Sequence, residues 1–342
     1  MSRVTMKDVA RKSGWSLGTV SRVFSGAPGV CEKAREDVLQ CAAALGYQKN
    51  EHAGWLALKH PDGIVLLVRA AACPYYGRLA RNLAARLQKE GRRVRLIFLD
   101  DAEDEGEKAL ALLHQKAPSL FLFFGARRQS LRKSLGRISV PAISVGAPMH
   151  DLSFSHLSGY SLPESEMMQQ AAEWLFELKK KNIGLILAPR LLSSEMEDRY
   201  LGVQYAFYSR NQTFSAANVQ EAEASAQGGY DALCALYKKN PDLDGLVVAC
   251  DAQIAGVLRA AADLGLSLPE DMALVCIDEN GQGKWSVPRL SAFERDLSAD
   301  EKAIENLVQS ALASPLSWSQ SRHEEAGYAM VWRESCPKPE LV

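Results

Sequence analysis

Hydrophobic positions recur along this chain in two rhythms, and the change between them divides it. In the first forty-six residues they fall at helical spacing. Met6, Val9 and Ala10 stand at i, i+3 and i+4, which predicts a short amphipathic helix capped by Thr5 and stopped by Gly14. Ser16 then caps a second short helix running to about Phe24, with Val20 and Val23 turned inward and Ser16, Thr19, Ser21 and Arg22 turned outward. A third helix is predicted over Glu32–Leu45, capped near Val30-Cys31, with Val38, Ala42 and Leu45 on one face and Gly46 at its end. From residue 63 the rhythm changes to short apolar runs separated by helical stretches. Ile64–Val68, Arg93–Leu99, Leu120–Phe124 and Ala142–Val145 read as buried parallel strands, with helices near 75–90, 104–116 and 127–136 between them. A second series has strands at Ile183–Leu187, Leu246–Ala249 and Ala273–Ile277, with helices near 163–180, 195–210, 227–239 and 252–264. Two such series of similar size predict an α/β body of two lobes behind a small all-α head.

Composition adds one asymmetry. The net charge of −1 argues, taken alone, against a nucleic-acid partner. Residues 1–60, however, hold nine lysines and arginines against five acids, a net +4, while the rest holds 31 against 36, a net −5. A basic head on an acidic body suits a head that meets a polyanion. The seven cysteines, at 31, 41, 73, 234, 250, 276 and 336, form no CxxC, and no histidine pair has metal spacing. They read as thiols in a reducing cytosol, with no metal and no cofactor. The start, Met-Ser-Arg-Val-Thr, carries no apolar signal segment, and no apolar run approaches the ~18 residues of a membrane span. A soluble, cytoplasmic protein is expected. No HExxH or P-loop is present, and the six histidines make no base constellation with a nucleophile, so no enzyme is expected. The acidic run Asp100, Asp101, Glu103, Asp104 and Glu105 reads as a solvated loop and helix start.

The first two helices, joined through Gly14-Trp15-Ser16, have the helix-turn-helix arrangement. In that arrangement the second helix lies in the DNA major groove, small hydroxyls suit phosphate oxygens, and an arginine forks onto guanine. By itself the pattern also fits a plain helical hairpin with a solvated polar face. The wider sequence decides. Val4-Thr5-Met6-Lys7-Asp8-Val9-Ala10, Ser16-x-x-Thr19-Val20-Ser21-Arg22-Val23, Val30, Arg35, Leu45-Gly46-Tyr47 and Asn50 closely resemble the LacI/GalR family of bacterial transcription regulators, and the likeness continues to about residue 333.

The resemblance implies roles. Thr5 joins the DNA-binding set; Ser16, Thr19 and Ser21 match positions that mostly hold phosphates, and Leu17, Gly18 and Arg22 match base-reading positions. Gly18 departs from the polar residues of relatives: it offers no side chain to a base. Either readout is lost there and Leu17 takes a thymine methyl, or the backbone approaches DNA more closely. Residues 47–60, YQKNEHAGWLALKH, match a hinge that becomes helical on operator DNA, usually Tyr-x-Pro-Asn-x-x-Ala-Arg-x-Leu. Tyr47, Asn50, Ala53 and Leu56 are in place, whereas Lys49 and Gly54 replace the usual Pro and Arg. Leu56 matches the leucine that wedges into the minor groove; an apolar turn packing with Trp55 and Leu58 is the other reading.

For the body the resemblance implies two Rossmann-like lobes of the periplasmic-binding-protein type I fold, with a ligand in the cleft at the carboxyl ends of the strands. The implied domains are a head at 1–46, a hinge at 47–60 and an effector-binding and dimerisation domain at 61–342. Lobe 1 takes about 61–160 plus 290–318, and lobe 2 about 161–289 plus 319–335. Pro74-Tyr75-Tyr76, Asp198-Arg199-x-x-Gly202, Asp251 with Gly256, and Gly265-x-x-x-Pro269-x-Asp271 leading to Asp278 carry this part of the likeness. Tyr75, Tyr76, Arg199, Cys250 and Asp278 are the candidate effector-binding residues: an aromatic face, an arginine fork and an acceptor, as a carbohydrate needs. Each has a plainer reading, the tyrosines as core aromatics, Arg199 as a lobe-internal ion pair, Asp251 as a helix cap. Cys250 and Gly146 stand where relatives carry polar anchors, and Ile254 where alanine is usual. Trp285 and Arg295 fall near cleft-bordering positions. The expected protein is a homodimeric repressor of a near-palindromic double-stranded operator, controlled by a small molecule, most simply a sugar or sugar derivative. The alternative is a DNA-binding regulator whose body serves dimerisation or a protein partner only.

Overall fold

The computed structural model of the chain describes residues 6–25, 30–45, 63–70, 73–100, 102–115, 118–146, 148–149, 152, 154, 156–278, 280–313 and 321–339. The head holds α1 (Met6–Ser13), α2 (Leu17–Ser25) and α3 (Glu32–Leu45). Val9, Val20, Val23, Val38 and Ala42 form its small core, with Met6, Ala10, Trp15 and Phe24 packed against it. These are the inward positions of the predicted period. The Trp15 indole N–H donates to Asp37 at 3.2 Å and ties the turn before α2 to α3.

The body alternates β1 (Ile64–Val68), α4 (Pro74–Lys89), β2 (Val94–Phe98), α5 (Glu105–Gln115), β3 (Leu120–Phe124), α6 (Arg128–Ser134), β4 (Ala142–Gly146) and β5 (Leu157–Ser161). It continues with α7 (Glu164–Glu177), β6 (Ile183–Leu187), α8 (Ser194–Tyr208), β7 (Val219–Glu221), α9 (Ala226–Lys239), β8 (Gly245–Val248), α10 (Ile254–Asp263) and β9 (Ala273–Asp278). It closes with β10 (Ser291–Glu294), α11 (Leu297–Ala313), β11 (His323–Glu325) and β12 (Ala329–Val331). Two six-stranded sheets result, in orders β11-β5-β4-β3-β1-β2 and β12-β10-β9-β8-β6-β7, parallel except for the β10–β12 pair. Strands β1, β3, β4, β6, β8 and β9 are buried at every position, because helices cover both faces; this is why they read as unbroken apolar runs.

The expected strands are present within a residue of their predicted ends. The lobe boundaries need correction. Residues 291–294 extend the second sheet beside β9 rather than opening the return to lobe 1, and β11 pairs with β5 in the first sheet. The chain therefore crosses between β5 and α7, between β10 and α11, and between β11 and β12, a few residues later than 290 and 319 for the last two. The acidic run also needs correction. Asp104 does start a helix, accepting from the amides of Gly106 (2.9 Å) and Glu107 (3.0 Å). Glu105 is not solvated: it is buried in an ion pair with Arg69 at 2.8 Å. Asp101 lies outside the described residues.

Two of the crossings meet at one carboxylate. Asp300, in the first turn of α11, accepts from Tyr160 of β5 (2.6 Å) and Tyr75 of α4 (2.5 Å). The Arg295 guanidinium, just past β10, reaches it at 2.7 Å and lies over the Tyr75 ring at 4.3 Å. Arg295 and Asp300 side chains are both 2% exposed, so the pair is a buried one whose remaining valences are filled by phenols. Replacing Asp300 by alanine strands that guanidinium. The expected loss is about 3–5 kcal/mol of stability, read as a fall in the urea midpoint of the full chain; an unchanged midpoint contradicts the assignment.

Candidate functional site

Two surfaces concentrate polar groups at the outside of the fold. The first is the outer face of α2. Ser16 accepts from the Thr19 amide at 3.1 Å, and the two hydroxyls share a hydrogen bond of 2.9 Å, which caps the helix as predicted. With Val20 and Val23 in the core, Ser16, Leu17, Gly18, Ser21 and Arg22 are exposed and Thr19 is half-buried. Leu17 is 44% exposed, a large apolar side chain offered to solvent at a helix start. The face thus carries hydroxyls, one aliphatic group and one guanidinium, the set that phosphates, a thymine methyl and guanine require. A Cβ built on Gly18 meets only Ser16 Oγ, at 3.7 Å, so nothing within the protein demands glycine there. Thr5, Asn50, Ala53 and Leu56, with Lys49 and Gly54, lie outside the described residues.

The second surface is the cleft between the lobes, at the carboxyl ends of both sheets. A cavity of about 770 Å³ opens there. Its first-lobe wall includes Arg127, Gln129 and Ser130, and its second-lobe wall Arg190, Ser194 and Glu221. Arg190 is held by Glu221 at 2.7 Å and lies over the Tyr200 ring at 4.1 Å. Ser130 donates to Asp104 at 2.7 Å. The Arg128 amide crosses the cleft to Ser194 Oγ at 3.2 Å. Hydroxyls, a carboxamide and paired charges in a space of this size suit a polyhydroxylated ligand.

The sequence-predicted effector residues are placed differently. Tyr75 is bound to Asp300, within the first lobe. Arg199 is 1% exposed; its fork grips Glu164 at 2.7 and 3.0 Å and its third nitrogen donates to the Ala249 carbonyl at 2.6 Å. The lobe-internal ion pair is thus what the geometry contains. Both Asp278 oxygens accept from its own loop, from the amides of Gln282 (2.8 Å) and Gly283 (2.6 Å). Cys250 is buried ahead of Asp251, and Asp251 accepts from the Asn280 side chain rather than capping a helix. Trp285 stands 80% exposed. Of the five candidates, Tyr76 bridges the lobes: its hydroxyl donates to Glu195 at 3.0 Å. Burial, with Glu195 adding to it, raises the Tyr76 phenol well above its ordinary value, so it stays a donor. Sequence reasoning missed Glu195, Ser193 and Ser194. The signal open to it was Gly146, whose missing side chain makes the room that Glu195 fills.

Among the described residues no helix is long and apolar enough to cross a membrane, and no group of three His, Cys, Asp or Glu side chains could hold a metal ion.

Residues 5–50 match the family model described as bacterial regulatory proteins, lacI family, and residues 172–336 that of a periplasmic binding protein-like domain. The lactose operon repressor of Escherichia coli (strain K12) is 26% identical over 317 residues, 90% of this chain and 85% of that protein. Catabolite control protein A of Staphylococcus epidermidis is 24% identical over 298 residues, 86% and 88% of the two chains. Among solved structures, a complex of the transcriptional regulator CelR with cellobiose superposes with a TM-score of 0.69 at 22% identity, covering 97% of this chain and 100% of that one. The lac repressor dimer bound to operator and the anti-inducer ONPF superposes with a TM-score of 0.67 at 23% identity, covering 98% and 100%.

The open space at Gly18 gives a stability prediction. Gly18→Ala should stabilise α2 by about 0.5–1 kcal/mol, seen as slower hydrogen exchange of α2 amides in the full chain. Unchanged or faster exchange would mean that the glycine has a structural role inside the head.

Proposed function

Because the chain belongs to the LacI/GalR family of DNA-binding transcription regulators, whose members are not enzymes, we propose that it is a homodimeric repressor. Two heads read the half-sites of a near-palindromic operator, and a small polyhydroxylated molecule in the interlobe cleft changes its operator affinity. The observation that carries the reading is the two-sided α2. Its valines are committed to the core, while Ser16, Leu17, Gly18, Ser21 and Arg22 face outward and are exposed. Thr5 joins this DNA-binding set. Asn50, Ala53 and Leu56 belong to the hinge, where Leu56 wedges into the minor groove. The protein works in the cytoplasm, on its operator.

The effector is a sugar or sugar derivative held by the outer cavity, with Arg190 and Glu221 on one wall and Arg127 and Gln129 on the other. The cellobiose complex of CelR and the operator complex of the lac repressor dimer support the class and the assembly. A ligand biases the operator-binding state only by its preference for one lobe arrangement. One observation favours a second reading: Arg199 and Asp278 are satisfied inside their own lobe. On that reading the body serves dimerisation or a protein partner without an effector.

Arg22→Ala should weaken binding to the cognate operator by about 1–3 kcal/mol, which is roughly 5- to 150-fold; unchanged affinity would show that α2 does not read bases. A thermal-shift screen of the full chain against mono- and disaccharides, sugar phosphates and sugar acids decides the effector. A ligand at about a hundred times its Kd adds about 2.7 kcal/mol to stability, and Arg190→Ala should remove the shift. No shift across the panel favours the partner-only reading.

A further inference from the structure

The cleft is bridged by a carboxyl group whose hydrogen-bond donors are two hydroxyls. Glu195, in the first turn of α8, is 2% exposed, and its carboxyl group is buried against the opposite lobe. Tyr76 donates to its Oε1 at 3.0 Å, and the Ser193 hydroxyl donates to its Oε2. The recess exists because residue 146 is glycine. Its φ is +127°, and a Cβ there would overlap Glu195 Oε1 and lie 2.8 Å from the Tyr76 hydroxyl. Gly125, at φ +63°, gives the same clearance to the Tyr76 ring, which would stand 2.9 Å from a Cβ. Two left-handed glycines thus shape the first lobe around a carboxyl group delivered by the second.

The charge that acts on that group most is another carboxylate, Glu164. Tyr76 of α4 faces it with Glu164 of α7, and Cys73, just before α4, faces Tyr76. On its own helix Arg199 is gripped by Glu164, and Asp198 faces Arg128 of the first lobe. Arg295, beyond Tyr76, is committed to Asp300. Burial raises the Glu195 carboxyl above its ordinary value, Glu164 adds to this, and the Ser193 and Tyr76 hydroxyls oppose it.

We propose that Glu195 is a tethered occupant of the effector cleft: seated between Tyr76 and Gly146, its carboxyl group latches the lobes closed without ligand, and an effector acts by displacing it. This rests on the reading that the cleft receives an effector. Ser193 links the two, since it lines the outer cavity and holds Glu195. The displacing molecule must bring an acceptor oxygen for the Tyr76 hydroxyl, as a sugar or sugar acid does. Closure is also linked to protons. The closed state raises the carboxyl pKa, so the latch is fully present below the ordinary carboxyl value of about 4.3 and is lost as pH rises through the raised one. Asp198, pushed up to about 6 chiefly by burial with Arg128 of the first lobe opposing, is a second carboxyl that titrates in this range.

The test uses the full chain without ligand, in an Asp198→Asn background that removes the second titrating carboxyl. Small-angle scattering near about pH 5 and about pH 8 reads lobe separation, and hydrogen exchange of the Arg128 amide reads the contact across the cleft. With Glu195 intact, the radius of gyration should grow with pH. Glu195→Gln, neutral and of the same shape, should stay compact at both. Glu195→Ala should be expanded at both and lose Arg128 protection, and Gly146→Ala should do the same with Glu195 intact. Glu195→Ala as compact as its parent, or Glu195→Gln opening with pH as its parent does, overturns the latch. No sugar enters this experiment, so a failed ligand screen and a failed latch remain separate outcomes.

Discussion

The body depends on one carboxylate held by three donors. Asp300 receives Tyr75, Tyr160 and Arg295, and these come from the start of α4, the last strand before the first crossing and the chain just past β10. Two lobes joined by three strands of chain need a fixed pivot if closure is to be a movement rather than a loosening. A buried ion pair with its valences filled by phenols gives such a pivot, because any displacement leaves a charge or a hydroxyl unpaired at low dielectric. Strands β10 and β12 are fastened beside it by aromatic packing. Trp174 stacks on Phe293 at 5.3 Å and meets Trp332 edge-on at 4.8 Å.

Around that pivot the cleft has been rebuilt from within. The arginine fork and the aspartate that mark the likeness to sugar-responsive regulators are satisfied inside their own lobe, by Glu164 and by the 282–283 amides. Other polar groups line the walls of the 770 Å³ cavity. Glu195 fills the inner space that Gly146 leaves. The same three facts explain one another: an inner cleft occupied by the chain's own carboxyl has no need of free anchors, and a ligand must either bind outside it or replace it.

Much of the fold was legible because its signals are local. Ile64–Val68 and Leu120–Phe124 are unbroken apolar runs since both their faces are covered, and Val9, Val20 and Val38 mark the head's core by period alone. The three-residue strands β7, β11 and β12 carry no period to read, and β5, with Ser158 and Gly159 in its middle, lacks the apolar run. The outer face of α2 was legible for the same local reason. The cleft was not. Glu195 reads as an ordinary acid at a helix start, and its burial is decided by Tyr76, 119 residues earlier, when the other lobe closes over it. Gly146 and Cys250 were visible as departures, but a missing side chain does not say what fills its place.

The central claim is that α2 reads a symmetric DNA site from two heads at once. The most direct measurement is selection of bound duplexes from a random library by the full chain, followed by sequencing. The account predicts enrichment of one near-palindromic sequence with two half-sites, abolished or relaxed at one base pair per half-site in Arg22→Ala. Binding without sequence enrichment, or enrichment indifferent to Arg22, would contradict it.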